Sequence, residues 1–132
     1  MFGVPSFNNY NSKILKFMQF FTLFGAGSFG LIHLIYPDIL GLMFGAPSNS
    51  LMLGDMYIAS VFLSFAFMAF LTIGSLDMYA PIAGFQGLYK AAWCIFFIAN
   101  FLLGNLELTF FALIYFLIMF SYVIGDYLAF KK

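Results

Sequence analysis

Charge is scarce in this 132-residue chain, and arginine is absent from it. Lysine supplies all five cations, aspartate and glutamate supply five anions, and charged residues make up only 8% of the sequence. Because soluble chains carry roughly a quarter charged residues, there is too little polar surface here to coat a globule in water. The absence of arginine and of any basic run also argues against a nucleic-acid partner.

Cysteine and histidine are present once each, as Cys94 and His33. A single cysteine excludes an intramolecular disulfide and a cysteine-based metal knuckle. A single histidine excludes bis-histidine haem ligation, so a haem or chlorophyll would need His33 alone or a ligand from a partner. The sequence also has no P-loop, no GxSxG and no cysteine pair. It therefore names no catalytic residue and no metal ligand, and a non-enzymatic role is favoured.

What the chain has in abundance is apolar sequence. Hydrophobic residues make up 64% of it, and the mean hydropathy is +1.04. Four stretches, at about residues 14–36, 51–73, 83–103 and 106–127, come close to the ~20 residues that a ~30 Å hydrocarbon core requires. They are apolar at almost every position, whereas transmembrane strands alternate over ~10 residues. The sequence predicts an all-α, four-transmembrane-helix bundle forming one integral membrane domain, residues 1–132.

The connections between these spans are short. Residues 37–47 (PDILGLMFGAP) are apolar but too few to cross the bilayer, and Gly41 and Gly45 interrupt them. They predict a short interfacial helix or re-entrant turn between the first two spans. Residues 75–81 carry turn formers and are predicted to be a loop, and Gly104-Asn105 is predicted to be a tight turn.

Lysine positions predict the orientation. With four spans, both termini and the second-to-third loop share one side of the membrane. All five lysines lie on that side or enter the membrane from it: Lys13, Lys16, Lys90, Lys131 and Lys132. The opposite side has no lysine and holds Asp38, Asp55 and Glu107. Basic residues near span ends mark the cytoplasmic side or its equivalent, so both termini are predicted to face it.

Small residues predict how the first two spans pack. Helices in lipid associate through small residues that allow close approach. Ala26 and Gly30 form a small-xxx-small pair in the first span, and Ser60 and Ser64 form one in the second. Packing as a hairpin is the expected outcome, and a groove for a lipid tail, quinone or pigment is the alternative.

Four polar residues are expected at similar depth on the side without lysines. They come from four different spans: His33, Asp55, Asn100 and Glu107. Such a cluster could bind a cation, relay a proton or anchor a polar head group. The structural alternative is that the two acids favour helix N-termini and that His33 caps an interface.

A second candidate site lies nearer the lysine-rich side. Gln86 and Lys90 are four residues apart on the third span and are followed by Trp93. An intramembrane lysine is costly and needs a partner, for which Asp126 is the first choice and Asp77 the second. Snorkelling of Lys90 or a Lys90–Asp126 ion pair is the structural expectation. The alternative is a cofactor-binding role for Gln86, Lys90 and Trp93, or for His33, toward a quinone oxygen or an anionic head group.

The motif GxxHLxxPDxLGLMFGAP at residues 30–47, a second span that opens with Asp55, and QGLYKAAW at residues 86–93 resemble the DoxX-like group of small four-helix membrane proteins. The resemblance implies a compact four-helix bundle that is sometimes associated with quinone or redox complexes. It assigns no functional residue.

Three functions are therefore weighed, all with the lipid bilayer as the surrounding solvent. The first is an accessory subunit that packs within a larger membrane complex, for which abundant Phe and Met provide adaptable apolar contact. The second is a DoxX-like quinone- or redox-associated protein. The third is a small homo-oligomeric transporter or channel, because four helices with so few polar residues cannot line a pore alone.

Overall fold

A computed structural model of the chain describes residues 7–36, 39 and 48–131. Within these residues all regular structure is helical, as the sequence predicts. The interfacial helix predicted for residues 37–47 lies outside the described residues, apart from Ile39.

Four long helices make up the described structure. They are α1, Ser12–Ile35; α2, Ser48–Leu71; α3, Leu76–Leu102; and α4, Phe110–Phe130. Each is long and apolar enough to cross a membrane. The predicted helical membrane-protein architecture with four spans is thus supported by length and composition.

The outward surface of the helices is apolar. Large side chains on every helix are more than half exposed, among them Phe24 at 67%, Phe67 at 60%, Leu88 at 70% and Phe110 at 72%. A soluble monomer rarely exposes contiguous apolar surface on this scale. Lipid is the solvent that this surface fits, since the backbone polar groups behind it are bonded within each helix.

One turn of α1 is wound differently from the rest. Asn11 caps the helix, because its side chain accepts hydrogen bonds from the backbone N–H groups of Lys13 and Ile14. The segment Thr22–Ala26 is a π-helix, and the α-helix resumes at Gly27. Single π-turns inside α-helices occur often at functional sites. This turn carries Thr22 into the centre of the bundle.

The start of α3 differs from the prediction. The expected loop at residues 75–81 is helical from Leu76, so α3 includes Pro81 and is longer than the predicted 83–103. Pro81 is the sixth residue of the helix, so it lacks the N–H that would donate to the carbonyl of Asp77, and the helix continues past this one missing bond. Asp77 in the first turn favours the helix start. Lys90 consequently lies near the middle of α3 rather than near its beginning.

The first two helices pack through small residues on α1. An added Cβ at Gly30 would lie 3.1 Å from the backbone nitrogen of Leu63, and one at Gly27 would lie 3.6 Å from Cβ of Ala66. The predicted hairpin is therefore present. Ser60 and Ser64 do not contribute as expected, because both are exposed. In α2 the small residues facing inward are the alanines: Ala59, Ala66 and Ala69.

The start of α1 and the end of α4 lie at one end of the bundle. The backbone N–H of Asn11 donates to the carbonyl of Ala129 at 2.7 Å, which joins the start of α1 to the end of α4. The hydroxyl of Tyr10 donates to Asp77 Oδ1 at 2.5 Å, which brings the start of α3 to the same end. We call this the inner end, after the predicted cytoplasmic orientation. Which side of a membrane it faces stays a prediction.

Candidate functional site

At the opposite, outer end, His33 and Asp55 form a buried pair. His33 lies in the last turn of α1, and its Nδ1 is 2.6 Å from Oδ1 of Asp55 on α2. Both side chains are at most 1% exposed. The rings of Phe62 and Tyr115 pack around the imidazole, with centroids 6.4 and 6.3 Å away. Oδ2 of Asp55 is buried and has no hydrogen-bond partner in the described part of the chain.

The other two members of the predicted outer cluster do not join this pair. Asn100 and Glu107 are both exposed. Asn100 donates to the carbonyl of Phe96 and accepts from Asn105, so it belongs to the turn between α3 and α4. Glu107 precedes α4, which begins at Phe110 rather than at the predicted residue 106. No group of three His, Cys, Asp or Glu side chains suited to a metal occurs among the residues that the structure describes.

A hydrogen-bonded network of side chains occupies the centre of the bundle toward the inner end. Thr22 Oγ1 lies 2.6 Å from the hydroxyl of Tyr79 and 3.0 Å from Oε1 of Gln86, and it also contacts the hydroxyl of Tyr122. The Tyr122 hydroxyl donates to Gln86 Oε1. All four side chains are buried. The network therefore ties α1, α3 and α4 together through hydroxyl groups.

Lys90 lies beside this network but does not form the predicted ion pair directly. Its Nζ is 3.5 Å from the centroid of the Tyr122 ring, in a cation–π contact. Lys90 is only 4% exposed, so it does not snorkel to the surface. Among the residues that the structure describes, no carboxylate oxygen lies within 4 Å of the Lys90 ammonium group. Asp77, the second-choice partner, accepts from Tyr10 instead.

Asp126 is the least satisfied polar residue of the structure. It is 5% exposed, and neither carboxylate oxygen has a hydrogen-bond partner within the described ranges. Its carboxylate lies against the bare backbone of Gly87, where an added Cβ would overlap Oδ2. Nε2 of Gln86 is likewise buried without a partner in the described residues. We call the six residues around this point the polar core: Thr22, Tyr79, Gln86, Lys90, Tyr122 and Asp126.

Two hollows adjoin the polar core. A cavity of about 30 Å³ lies beside Lys90 and Tyr122, and Gly25 and Ala26 of the π-turn line its far wall. Since one water needs roughly 10–15 Å³ of such volume, this cavity has room for two or three waters. A groove of about 610 Å³ follows the contact between α3 and α4, with Gly87 and Asp126 in its lining. We call it the seam groove; its size lies within the roughly 300–1,000 Å³ that ligand pockets span.

Trp93, the third residue of the predicted inner site, faces another part of the bundle. Its ring packs against Phe97 and Tyr115, with centroids 5.2 and 5.1 Å away. It lies one turn from Lys90 on α3 and lines neither the small cavity nor the seam groove. Trp93 therefore contributes packing near the site rather than a polar contact.

Sequence reasoning missed three hydroxyl-bearing members of the polar core: Thr22, Tyr79 and Tyr122. A signal for the tyrosines was present in helical spacing. Tyr79 lies seven residues before Gln86, and Tyr122 lies four residues before Asp126, which places each on the same helix face as the polar residue. Nothing in the sequence indicated the π-turn that carries Thr22.

One titratable group outside the spans is shifted. The hydrogen bond from Tyr10 to the Asp77 carboxylate raises the pKa of the Tyr10 hydroxyl, because the bond is lost when the phenol ionises beside a negative charge. This contact fixes the segment before α1 to the start of α3.

Comparison with protein-family models, with curated proteins and with solved structures finds no match to this chain.

Proposed function

We propose that this chain is a small-molecule-binding membrane protein whose polar core holds the head group of a quinone-class molecule. The observation that supports the proposal is the unfilled hydrogen-bonding capacity of Asp126 and Gln86 next to Lys90. Buried polar groups are normally paired, and unpaired ionisable groups within a span mark functional sites by default.

The chemistry of the unfilled groups favours a quinone over a purely apolar ligand. Lys90 and Gln86 Nε2 are donors, which suit the carbonyl oxygens of an oxidised quinone. Asp126 offers two acceptor oxygens, which suit the hydroxyl groups of the reduced form. Because the cavity beside Lys90 has room for only two or three waters, we place the ring in the seam groove, where Asp126 is the polar-core residue of the lining, and propose that a carbonyl oxygen of the ring extends from there toward Lys90. The DoxX-like resemblance points to the same ligand class.

Trp93 makes the proposal testable, because it is the only tryptophan and lies one turn from Lys90. Purified protein in mild detergent is titrated with a short-chain quinone while Trp93 fluorescence is followed, since a quinone bound nearby quenches it. We expect saturable quenching in the wild type. Lys90→Met is expected to weaken binding by roughly tenfold or more, because a hydrogen bond to a charged group contributes about 1.5–3 kcal/mol.

The matched control is Lys16→Met, since Lys16 is exposed on α1 and lies outside the polar core. It should bind as the wild type does. Linear, non-saturating quenching in the wild type, or equal affinities for Lys90→Met and Lys16→Met, would overturn the proposal.

A second candidate is the accessory subunit, which one surface feature favours. Phe17, Phe20 and Phe24 are exposed on one side of α1, and Phe20 and Phe24 stack with centroids 6.5 Å apart. Such an aromatic face suits contact with the helices of another membrane subunit. Purification from the native membrane in mild detergent tests this candidate. Polypeptides that co-migrate with the wild type but not with the double variant Phe17→Ala/Phe24→Ala would support an accessory subunit. A chain that migrates alone would refute it. The homo-oligomeric transporter or channel stays a prediction. In the same purification, migration as an oligomer of this chain alone would support it.

A further inference from the structure

The seam groove is lined by small residues from one helix and by one carboxylate from the other. Gly84, Gly87 and Ala91 lie on the α3 side, and Asp126 lies on the α4 side. Glycine and alanine leave the α3 backbone open to close approach. Asp126 is the acidic residue of the lining. The groove thus combines an apolar wall with one carboxylate, while Asn9, Tyr127 and Lys131 add polar groups to its lining. The two carboxylate oxygens have almost no accessible surface, so a ligand meets them when the Asp126 side chain rotates toward the groove.

Aromatic rings narrow the groove toward the inner end, where exposed Asn9 and Lys131 also line it, and lipid-facing side chains flank it. The ring of Phe7 lies on Gly84, where an added Cβ would overlap it, and it packs edge-on against Phe130 with centroids 5.5 Å apart. Leu88 and Tyr127 flank the groove and are 70% and 65% exposed. An apolar tail can therefore enter the groove past these two side chains from the hydrocarbon of the membrane.

The charges around the groove select the head group. The acceptor oxygens of Asp126 need a donor, but Lys90 lies one turn beyond Gly87 on α3, and Lys131 lies at the end of the groove. A ligand with its own positive charge would be repelled by both ammonium groups. A neutral hydroxyl group can donate to Asp126 without adding charge.

From this arrangement we infer that the seam groove binds a long-chain membrane amphiphile through a hydroxyl head group that donates to Asp126. The inference rests on the proposed function and adds to it the chemistry of the head group and lateral access from the lipid. A hydroquinone and a long-chain alcohol or hydroxyl-bearing lipid share this chemistry. For a quinone-class ligand, the reduced form is the one held at Asp126.

Four probes test the head-group chemistry. They are a long-chain alcohol with a photoreactive diazirine in its tail, its methyl ether, a decyl hydroquinone with the same photoreactive group, and its dimethyl ether. Purified full-length protein is labelled with each, and the yield on α3 and α4 peptides is measured by mass spectrometry. Because the ethers cannot donate a hydrogen bond, we expect them to bind about tenfold more weakly than the hydroxyl probes, which corresponds to about 1.4 kcal/mol. Labelling by the alcohol alone or by the hydroquinone alone tells which source of the hydroxyl fits.

Two neighbouring alanines provide a matched pair of variants for the groove. Ala91 lines it, whereas Ala92 is exposed and does not. Ala91→Phe should abolish hydroxyl-probe labelling, and Ala92→Phe should leave it unchanged. Asp126→Leu should reduce the hydroxyl probes to the level of the ethers. An unchanged helical circular-dichroism signal and elution volume check that this variant folds.

Equal yields for hydroxyl and ether probes in the wild type, or equal labelling of Ala91→Phe and Ala92→Phe, would overturn the inference. If either occurs while Trp93 quenching by a quinone still depends on Lys90, the proposed function survives and only the groove is wrong. If hydroxyl-selective labelling at the seam persists but Lys90→Met leaves the quenching unchanged, the groove survives and the Lys90 part of the proposed function fails.

Discussion

Separating the two partners of the buried His33–Asp55 pair should be costly, whereas replacing both should not. Asp55→Leu removes the acceptor from His33 and leaves its Nδ1–H buried without a partner at the outer end. Asp55→Asn keeps an acceptor oxygen in place but removes the charge. His33→Leu/Asp55→Leu removes both polar groups and fills their space with apolar atoms.

The size of the effect follows from burial and distance. Hydrogen bonds between membrane helices contribute about 0.6 kcal/mol on average, because alternative partners are available in the unfolded membrane state. Leaving a buried donor without its hydrogen-bond partner costs about 1–3 kcal/mol. The 2.6 Å separation and near-zero exposure place this pair toward the second value. We expect a loss of about 3 kcal/mol for Asp55→Leu, about 1 kcal/mol for Asp55→Asn, and a double variant within about 1 kcal/mol of the wild type.

Reversible unfolding in mixed detergent micelles, followed by circular dichroism, gives the free energy of unfolding for all four proteins. The order wild type, double variant, Asp55→Asn, Asp55→Leu is expected. The reasoning is refuted if Asp55→Leu costs less than about 1 kcal/mol, since the pair would then be no more than an average interhelical hydrogen bond. It is also refuted if the double variant is as unstable as Asp55→Leu.

Three further expectations follow from the packing and from the inner end. In the same assay, the free energy of unfolding of Gly30→Ala should be about 1–3 kcal/mol lower than that of Gly27→Ala. Both variants gain the same helix propensity, but only the Cβ added at Gly30 crowds the backbone of Leu63. Equal stabilities of the two variants would contradict the close approach of α1 to α2. The Tyr10–Asp77 hydrogen bond should persist at neutral pH and be lost as the pH rises through the raised pKa of Tyr10. Asp77→Asn should lower the pH at the midpoint of Tyr10 ionisation, followed by tyrosinate absorbance. An unchanged midpoint would argue against the hydrogen bond. Tags placed before Met1 and after Lys132 should be accessible from the same side of the membrane, and opposite accessibilities would remove the orientation.

The number and type of the helices could be predicted because the hydrocarbon core sets a length and allows no unpaired backbone. Within a span, however, the sequence carries little information on which face turns inward. In α2 both the serines and the alanines recur at helical spacing, and the serines proved to be on the exposed face. In a soluble helix, polarity separates the two faces, but here lipid and protein interior are equally apolar. The ambiguity is therefore physical.

The polar core could be predicted only in part for a related reason. Gln86, Lys90 and Asp126 stood out because each is expensive in hydrocarbon. Their arrangement depends on how each helix is rotated and on where α3 begins. Because residues 75–81 were predicted to be a loop, the predicted start of α3 was too late. The position of Lys90 on the Tyr122 ring, rather than on Asp126, also depends on atomic distances that spacing does not supply.

The contrast between the two buried acids locates the candidate site. Asp55 has one oxygen paired with His33 and joins α1 to α2, so its burial contributes to holding two helices together. Asp126 has neither oxygen paired within the described residues, although Tyr122 lies one turn before it on α4 and Lys90 contacts the Tyr122 ring. A carboxylate that served only the fold could be replaced by an apolar side chain without loss of stability. The unfilled acceptors of Asp126 lie behind Gly87 with almost no accessible surface, so a membrane-borne hydroxyl in the seam groove would reach them once the side chain rotates toward it, and binding is therefore proposed at the contact between α3 and α4.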